Sequence, residues 1–218
     1  MLLVWQDRAV PPATPEPAAR PLRVREDPAV RRQAILEAAA RLFATHGFAD
    51  TTVRDIGDEV AIKSGSLYHY FASKDAILEA VLREFLADLG TATAAIVSAG
   101  TSPRRQVTDL VRHAFTLMGE RPYWVLTYQN EFLRLAGQPG FEFVAGESAR
   151  IEAAWVAALT ASAEAGDFAV DVPVAVRYRL VRDATWTAVR WYRPGAELDA
   201  AALAEQYVAV FYGNHAAG

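Results

Sequence analysis

Apolar side chains along this chain recur every three or four positions over long stretches, the period of a helix with one buried face. Between residues 27 and 46, Ile35, Leu36, Ala39, Leu42 and Phe43 form such a stripe, with Asp27 and Pro28 as start signals and Gly47 as a stop. Val53, Ile56 and Val60 predict a second, shorter helix, opened by a T-x-x-D capping box of Thr52 and Asp55. Gly57 in that helix permits close approach of another helix. Residues 61–65 break the period, and 66–71 predict a third helix with Leu67 and Phe71 inward. Ser66, Tyr68, His69 and Tyr70 then fan across its other faces. Ser73 caps a long helix over 74 to about 99, buried along Ile77, Leu78, Val81, Leu82, Phe85 and Leu89. Beyond a break at 100–103 the pattern predicts helices over 103–119, 122–136, 141–164, 172–193 and 199–212. Gly166-Asp167 and Pro194-Gly195 are turn dipeptides or helix stops, and no period-two strand pattern is present. The expected fold class is all-α.

A helix, a short glycine-containing turn and a second helix with an exposed polar and aromatic face describe a helix-turn-helix. In such a unit the second helix enters the DNA major groove while the first crosses the backbone. Charge adds a constraint, because the net charge is −4 and residues 1–80 hold ten basic and eleven acidic side chains. Bulk electrostatics therefore do not mark this chain for DNA, and the position of individual groups must. Its two lysines, Lys63 and Lys74, flank the expected recognition helix, a placement that favours phosphate contacts. Tyr68, His69, Ser66 and Arg54 are the expected DNA contacts, with Thr52, Lys63, Tyr70 and Lys74 nearer phosphates. Residues 1–26, with prolines at 11, 12, 15, 17 and 21, read as a disordered leader. Arg20, Arg23 and Arg25 there are either an arm along DNA or part of a solvated tail. Arg31 and Arg32 are backbone contacts or solvated.

The run Gly47-Phe48-Ala49-Asp50-Thr51-Thr52, then Ile56, Gly65-Ser66-Leu67-Tyr68-His69-Tyr70-Phe71 and Ser73-Lys74-Asp75 resembles the DNA-binding domain of TetR/AcrR-type repressors. That family usually has serine or threonine in the turn where Lys63 stands, which leaves the recognition-helix cap open, with Ser64 the alternative. The resemblance implies a three-helix DNA-binding domain over 27–72 and an effector-binding and dimerisation domain over 73–218. It also implies that a shift at the far end of the long helix swings the reading head.

Two stretches of the second half carry chemistry. In 122–136 (PYWVLTYQNEFLRLA) the polar run Gln129-Asn130-Glu131 interrupts aromatics and leucines, so one polar group faces inward or that side is exposed. In 172–193, Arg182, Trp186 and Arg190 recur every four residues and share a face. A guanidinium beside an indole in an apolar bundle needs an anion, and its fork suits a carboxylate, a phosphate or a CoA thioester. The competing reading is an internal pair of Arg182 with Asp183, Glu131 or a partner subunit. The pairing of YQNEFLRLAGQPGFEFV (128–144) with RDATWTAVRWYRPG (182–195) resembles one branch of the family, with SGSLYH and RWYRPG closest. That branch represses steroid-ring catabolism in actinobacteria and is released by a CoA thioester of a steroid ring fragment. The resemblance implies that Arg182 and Trp186 line the ligand site, and Tyr128, Gln129 and Glu131 of the paired stretch join them as candidates.

Other chemistry is sparse. Histidines 46, 69, 113 and 215 match no metal spacing, and phosphate loops and a nucleophile elbow are absent, so no cofactor, metal or catalytic site is expected. Glu147, Glu152 and Glu164 read as a solvated face. No apolar run reaches the roughly 18 residues of a membrane span, and the lack of cysteine fits a reduced, cytoplasmic protein. Leu203, Tyr207, Val208, Val210 and Phe211 form a stripe on the last helix, which packs within its own subunit or, as the resemblance implies, joins the 172–193 helix in a four-helix dimer interface. A homodimer would place two recognition helices on a palindromic operator. Rival readings are an all-α enzyme and a protein-binding module with a purely structural helix-turn-helix.

Overall fold

A computed structural model describes residues 27–135, 137–169, 171–192 and 199–213, and among these the chain forms nine α-helices and no strand. The leader, Arg193-Pro194-Gly195 and His215 lie outside the described residues. Helix α1 (Pro28–His46) starts where the Asp27 carboxylate accepts from the Ala29 amide and ends where Gly47, at φ 88°, donates to the Phe43 carbonyl. Its expected stripe of Ile35, Leu36, Ala39, Leu42 and Phe43 is buried. Helix α2 (Val53–Glu59) carries the reciprocal capping box of Thr52 and Asp55. Helix α3 (Ser64–Leu67) follows a tight turn.

That turn explains Gly57. A Cβ there would stand 2.8 Å from the Ile62 carbonyl oxygen and 3.6 Å from the Ser64 amide nitrogen. Its own carbonyl accepts the Ile62 amide at 2.9 Å. The close approach that glycine permits is thus by the turn and by Ser64, the first residue of α3. Ala61 adopts φ 54°, a left-handed conformation that turns the chain at a steric cost.

Helix α3 starts two residues before the expected 66 and is shorter. Lys63 occupies the cap position without a side-chain bond, and Ser64 is already helical, so neither side chain caps it. The Lys63 carbonyl accepts the Ser66 and Leu67 amides at 2.8 and 3.3 Å instead. Turns continue the coil, with Tyr70 and Phe71 both donating to the Leu67 carbonyl.

Helix α4 (Lys74–Ser98), capped by Ser73, runs from this head into the second half. There α5 (Pro103–Glu120) touches α4, α6 (Pro122–Leu135), α7 (Glu142–Glu164), α8 (Val174–Ala188) and α9 (Ala200–Tyr212). Helix α8 is shorter than the expected 172–193, because after Ala188 the amides of Arg190 and Trp191 reach back three residues, not four. Arg190 therefore falls past the helix that carries Arg182 and Trp186.

Helix α6 also packs on α1. Trp124 Nε1 donates to Glu37 at 2.7 Å and Thr127 Oγ1 to the Ala40 carbonyl at 2.9 Å. Arg121, at the head of α6, stacks on Trp124 and bonds Glu84 and Asp88 of α4 at 2.9 and 2.6 Å. Two helices, α4 and α6, therefore join the head to the rest of the chain. Among the described residues no helix is long and apolar enough to cross a membrane.

Candidate functional site

The helix-turn-helix leaves a coherent outer face. Arg54 is 81% exposed and only loosely paired with Asp58 at 3.6 Å. Tyr68, 54% exposed, stands beside exposed Ser66 and His69, and exposed Lys63 precedes the helix. Tyr70 is half-buried against the core, and Ser64 is half-buried at the turn. Thr52 spends its hydroxyl on the capping box, donating to Asp55 at 2.8 Å and accepting its amide at 3.1 Å.

Lys74 departs from its expected place among the phosphate contacts. Its ammonium donates to the carbonyls of Phe48, Ala49 and Thr51 at 2.6, 3.2 and 2.7 Å and lies 4.4 Å from the Phe48 ring centroid. An ammonium has three hydrogens, so all are used. Lys74 is a strut between the start of α4 and the loop after α1. Arg31 and Arg32 are likewise turned to the head, Arg31 donating to the Val60 carbonyl and Arg32 stacking on Phe71.

In the second half, α4, α5, α6, α7 and α8 enclose a cavity of about 360 Å³. Leu89, Leu110, Phe132, Ile151 and Trp155 make most of it apolar, and Tyr128, Arg182 and Trp186 line it together. The Tyr128 and Trp186 rings meet edge to face at 5.2 Å. Ser148 Oγ already donates to the Val144 carbonyl, so the 2.6 Å contact with Tyr128 is a bond donated by the phenol. Burial raises the Tyr128 pKa despite that bond, and burial and Glu152 push Tyr178 up to about 12. Both phenols stay neutral at ordinary pH.

Arg182 sits at the mouth, 38% exposed, with its Nε donating to Asp183 at 2.8 Å and its guanidinium 5.5 Å from the Tyr178 ring. The pairing with Asp183 is the internal pair foreseen as the competing reading, and the premise of a fully buried guanidinium does not hold. Asp183 and Tyr178 engage part of the five-donor fork, and the rest serves an incoming anion. Exposed Glu152, expected on a solvated face, lines the same mouth.

Gln129 and Glu131 do not line the cavity. Gln129 Nε2 donates to the Trp186 carbonyl at 3.0 Å and so holds α8 against α6. Glu131 is the polar group that faces inward, 6% exposed, but on the α6 stripe of Trp124 and Thr127, where it pairs with Arg134. Arg134 in turn stacks on Phe48. Sequence reasoning missed Thr93, His113, Ser148 and Tyr178 as cavity residues. Thr93 lies one helical turn past Leu89 on the expected stripe, but a lone polar residue there carries no distinguishing signal. Among the described residues no cluster of histidine and acidic side chains is placed to hold a metal ion.

A second apolar groove of about 630 Å³ opens between α8 and α9, floored by Val111 of α5. Leu180 and Val210 on its walls are 58% and 84% exposed. The remaining stripe of α9 is used internally: Leu203 and Val208 are buried, Tyr207 packs on Phe115 and Phe211 on Phe168.

Comparison with known proteins matches residues 35–81 to the profile of bacterial regulatory proteins of the tetR family and residues 100–213 to a tetracyclin repressor-like C-terminal domain. The chain belongs to the TetR family. It is 41% identical over 187 residues to the HTH-type transcriptional repressor KstR2 of Mycolicibacterium smegmatis, spanning 86% of this chain and 91% of that one. The KstR2 of Mycobacterium tuberculosis is 40% identical over 184 residues, spanning 84% and 92%. The solved structure of that ketosteroid transcriptional regulator superposes with a TM-score of 0.80, covering 84% of this chain and 93% of it. AibR, solved with isovaleryl coenzyme A and operator DNA, shares the fold at a TM-score of 0.74 and 20% identity, with 84% and 98% covered. This TetR-family chain is a DNA-binding transcriptional regulator.

Proposed function

We propose that the protein is a ligand-responsive repressor that binds a palindromic operator as a homodimer and leaves it when a CoA thioester of a steroid or lipid catabolite occupies the α4–α8 cavity. The observation that carries this reading is an apolar cavity with Arg182 and Trp186 at one end, in a chain some 40% identical to KstR2 repressors over nearly its full length. The apolar walls suit a hydrocarbon body, and the guanidinium at the mouth suits the phosphates or carboxylate of an anionic tail. Tyr68, His69, Ser66 and Arg54 contact DNA, with Lys63 and Thr52 near phosphates. Lys74 is left out, since its hydrogens are engaged within the chain. The apolar groove between α8 and α9 meets its two-fold mate in the dimer.

Release follows two routes to the head. Tyr128 lines the cavity on α6, and Trp124 and Thr127 of the same helix hold α1. A ligand that moves Tyr128 and Trp186 therefore pulls on α1 directly, beside the longer route through α4. Fluorescence anisotropy of labelled DNA from the region upstream of the gene tests the reading, with and without steroid-derived acyl-CoA thioesters. Tyr68→Ala should abolish binding at unchanged melting temperature, and Arg182→Met should bind DNA normally yet ignore the thioester. An Arg182→Met protein released as readily as the parent sinks the effector assignment.

A further inference from the structure

Two polar atoms on the cavity wall have no hydrogen-bond partner among the described residues. Thr93 Oγ1 on α4 and His113 Nε2 on α5 both line it, both are shut off from solvent, and neither has a hydrogen-bond partner. Thr93 is 2% exposed. Buried polar groups are normally paired, and an unpaired one needs a reason. A helical threonine has a default partner in the carbonyl four residues back. Thr45, Thr108, Thr185 and Thr187 of this chain all donate to that carbonyl. The Thr93 hydroxyl does not. Leu110 and Phe132, which line the cavity from α5 and α6, offer it no acceptor. His113 cannot compensate by ionising, because burial lowers its pKa below the ordinary histidine value despite Glu120 nearby. Its ring is neutral at ordinary pH and, in the Nε2–H tautomer, offers a hydrogen-bond donor, not a charge.

From this geometry we propose that Thr93 and His113 form a specificity subsite for a carbonyl oxygen carried on the hydrocarbon body of the effector. The subsite rests on the reading of this cavity as the effector site. It divides recognition among an anion at Arg182, an apolar body and a neutral oxygen acceptor at Thr93 and His113. A hydrocarbon of equal size leaves both protein groups unpaired, so it binds more weakly even though it fits.

The test uses the full chain and two probe pairs differing by one ring oxygen. One pair is neutral, decalone and decalin. The other is cyclohexanepropanoyl-CoA and its ring-ketone analogue. Binding is followed by the fluorescence of Trp155 and Trp186, which line the cavity. The parent protein should prefer the ketone in both pairs by about tenfold or more. In Thr93→Val and in His113→Leu that ratio should fall towards one. Neither change removes a bonded group, so their melting temperatures should match or exceed the parent's. Equal affinities in the parent, or a ketone preference that survives both substitutions, overturns the subsite. Ketone preference among neutral probes, with thioester binding insensitive to Arg182→Met, keeps the subsite and overturns the anion reading. Failure of decalone and decalin alike to bind overturns the cavity and the subsite together.

Discussion

Replacing Lys74 by methionine separates a phosphate contact from a structural strut. The ammonium holds the carbonyls of Phe48, Ala49 and Thr51 and faces the Phe48 ring. Hydrogen bonds to a charged group contribute about 1.5–3 kcal/mol each, and a cation–π contact about 0.5–1 at an exposed site. The three bonds share one ion, and water can reach the exposed Ala49 carbonyl, so these values do not add. Methionine keeps the aliphatic packing but leaves three carbonyls short of a donor. The expected loss is about 2–4 kcal/mol, a large part of the roughly 5–15 kcal/mol that holds a domain of ordinary stability. With a mid-range urea slope of about 2 kcal/mol per molar, the midpoint falls by about 1–2 M. Operator binding reports separately. Loss of a phosphate contact lowers the slope of log affinity against log salt by about 0.9, whereas loss of a strut leaves that slope unchanged wherever the protein is folded. A Lys74→Met protein with the parent's urea midpoint and a slope smaller by about one would falsify the strut assignment.

Gly57→Ala should destabilise by about 1–2 kcal/mol, because the methyl group meets the Ile62 carbonyl at 2.8 Å and outweighs alanine's better helix propensity. Chemical denaturation checks this, and an unchanged or raised midpoint contradicts the crowded turn. Val210→Glu, at an 84% exposed position on the α8–α9 groove, should give a folded monomer in sedimentation that no longer binds operator. A persistent dimer moves the interface elsewhere. Asp55 has its pKa held below 3.8, chiefly by the backbone and side-chain bonds from Thr52. Its capping therefore stabilises fully above its unfolded pKa and is lost as pH falls through the lower folded value. Acid titration of thermal stability should show a loss in the parent that Asp55→Asn lacks, and identical acid profiles contradict this role.

Local signals and burial periodicity were sufficient for the helices and their apolar stripes. Ile35, Leu36, Leu42 and Phe43 are buried as their spacing requires, and the box of Thr52 and Asp55 forms, because such contacts lie within one turn of helix. The outward placement of Tyr68 and His69 follows from the inward placement of Leu67 and Phe71 by the same geometry. Long-range partners were decided only by the tertiary structure. Position along the chain puts Lys74 beside the recognition helix, yet its partners lie 23 to 26 residues earlier, on a loop whose approach no local pattern encodes. Three residues apart on one helix, Tyr128 and Glu131 are alike candidates for the ligand site in sequence, but α6 turns one to the cavity and the other to the stripe of Trp124 and Thr127. Arg182 has the right spacing for a shared face with Trp186, while the depth of the bundle around it decides that it stands at a mouth next to Asp183. Periodicity states which side of a helix is buried. Which elements close over that side, and whether they leave a void with unpaired polar groups such as those of Thr93 and His113, depends on packing between helices distant in sequence.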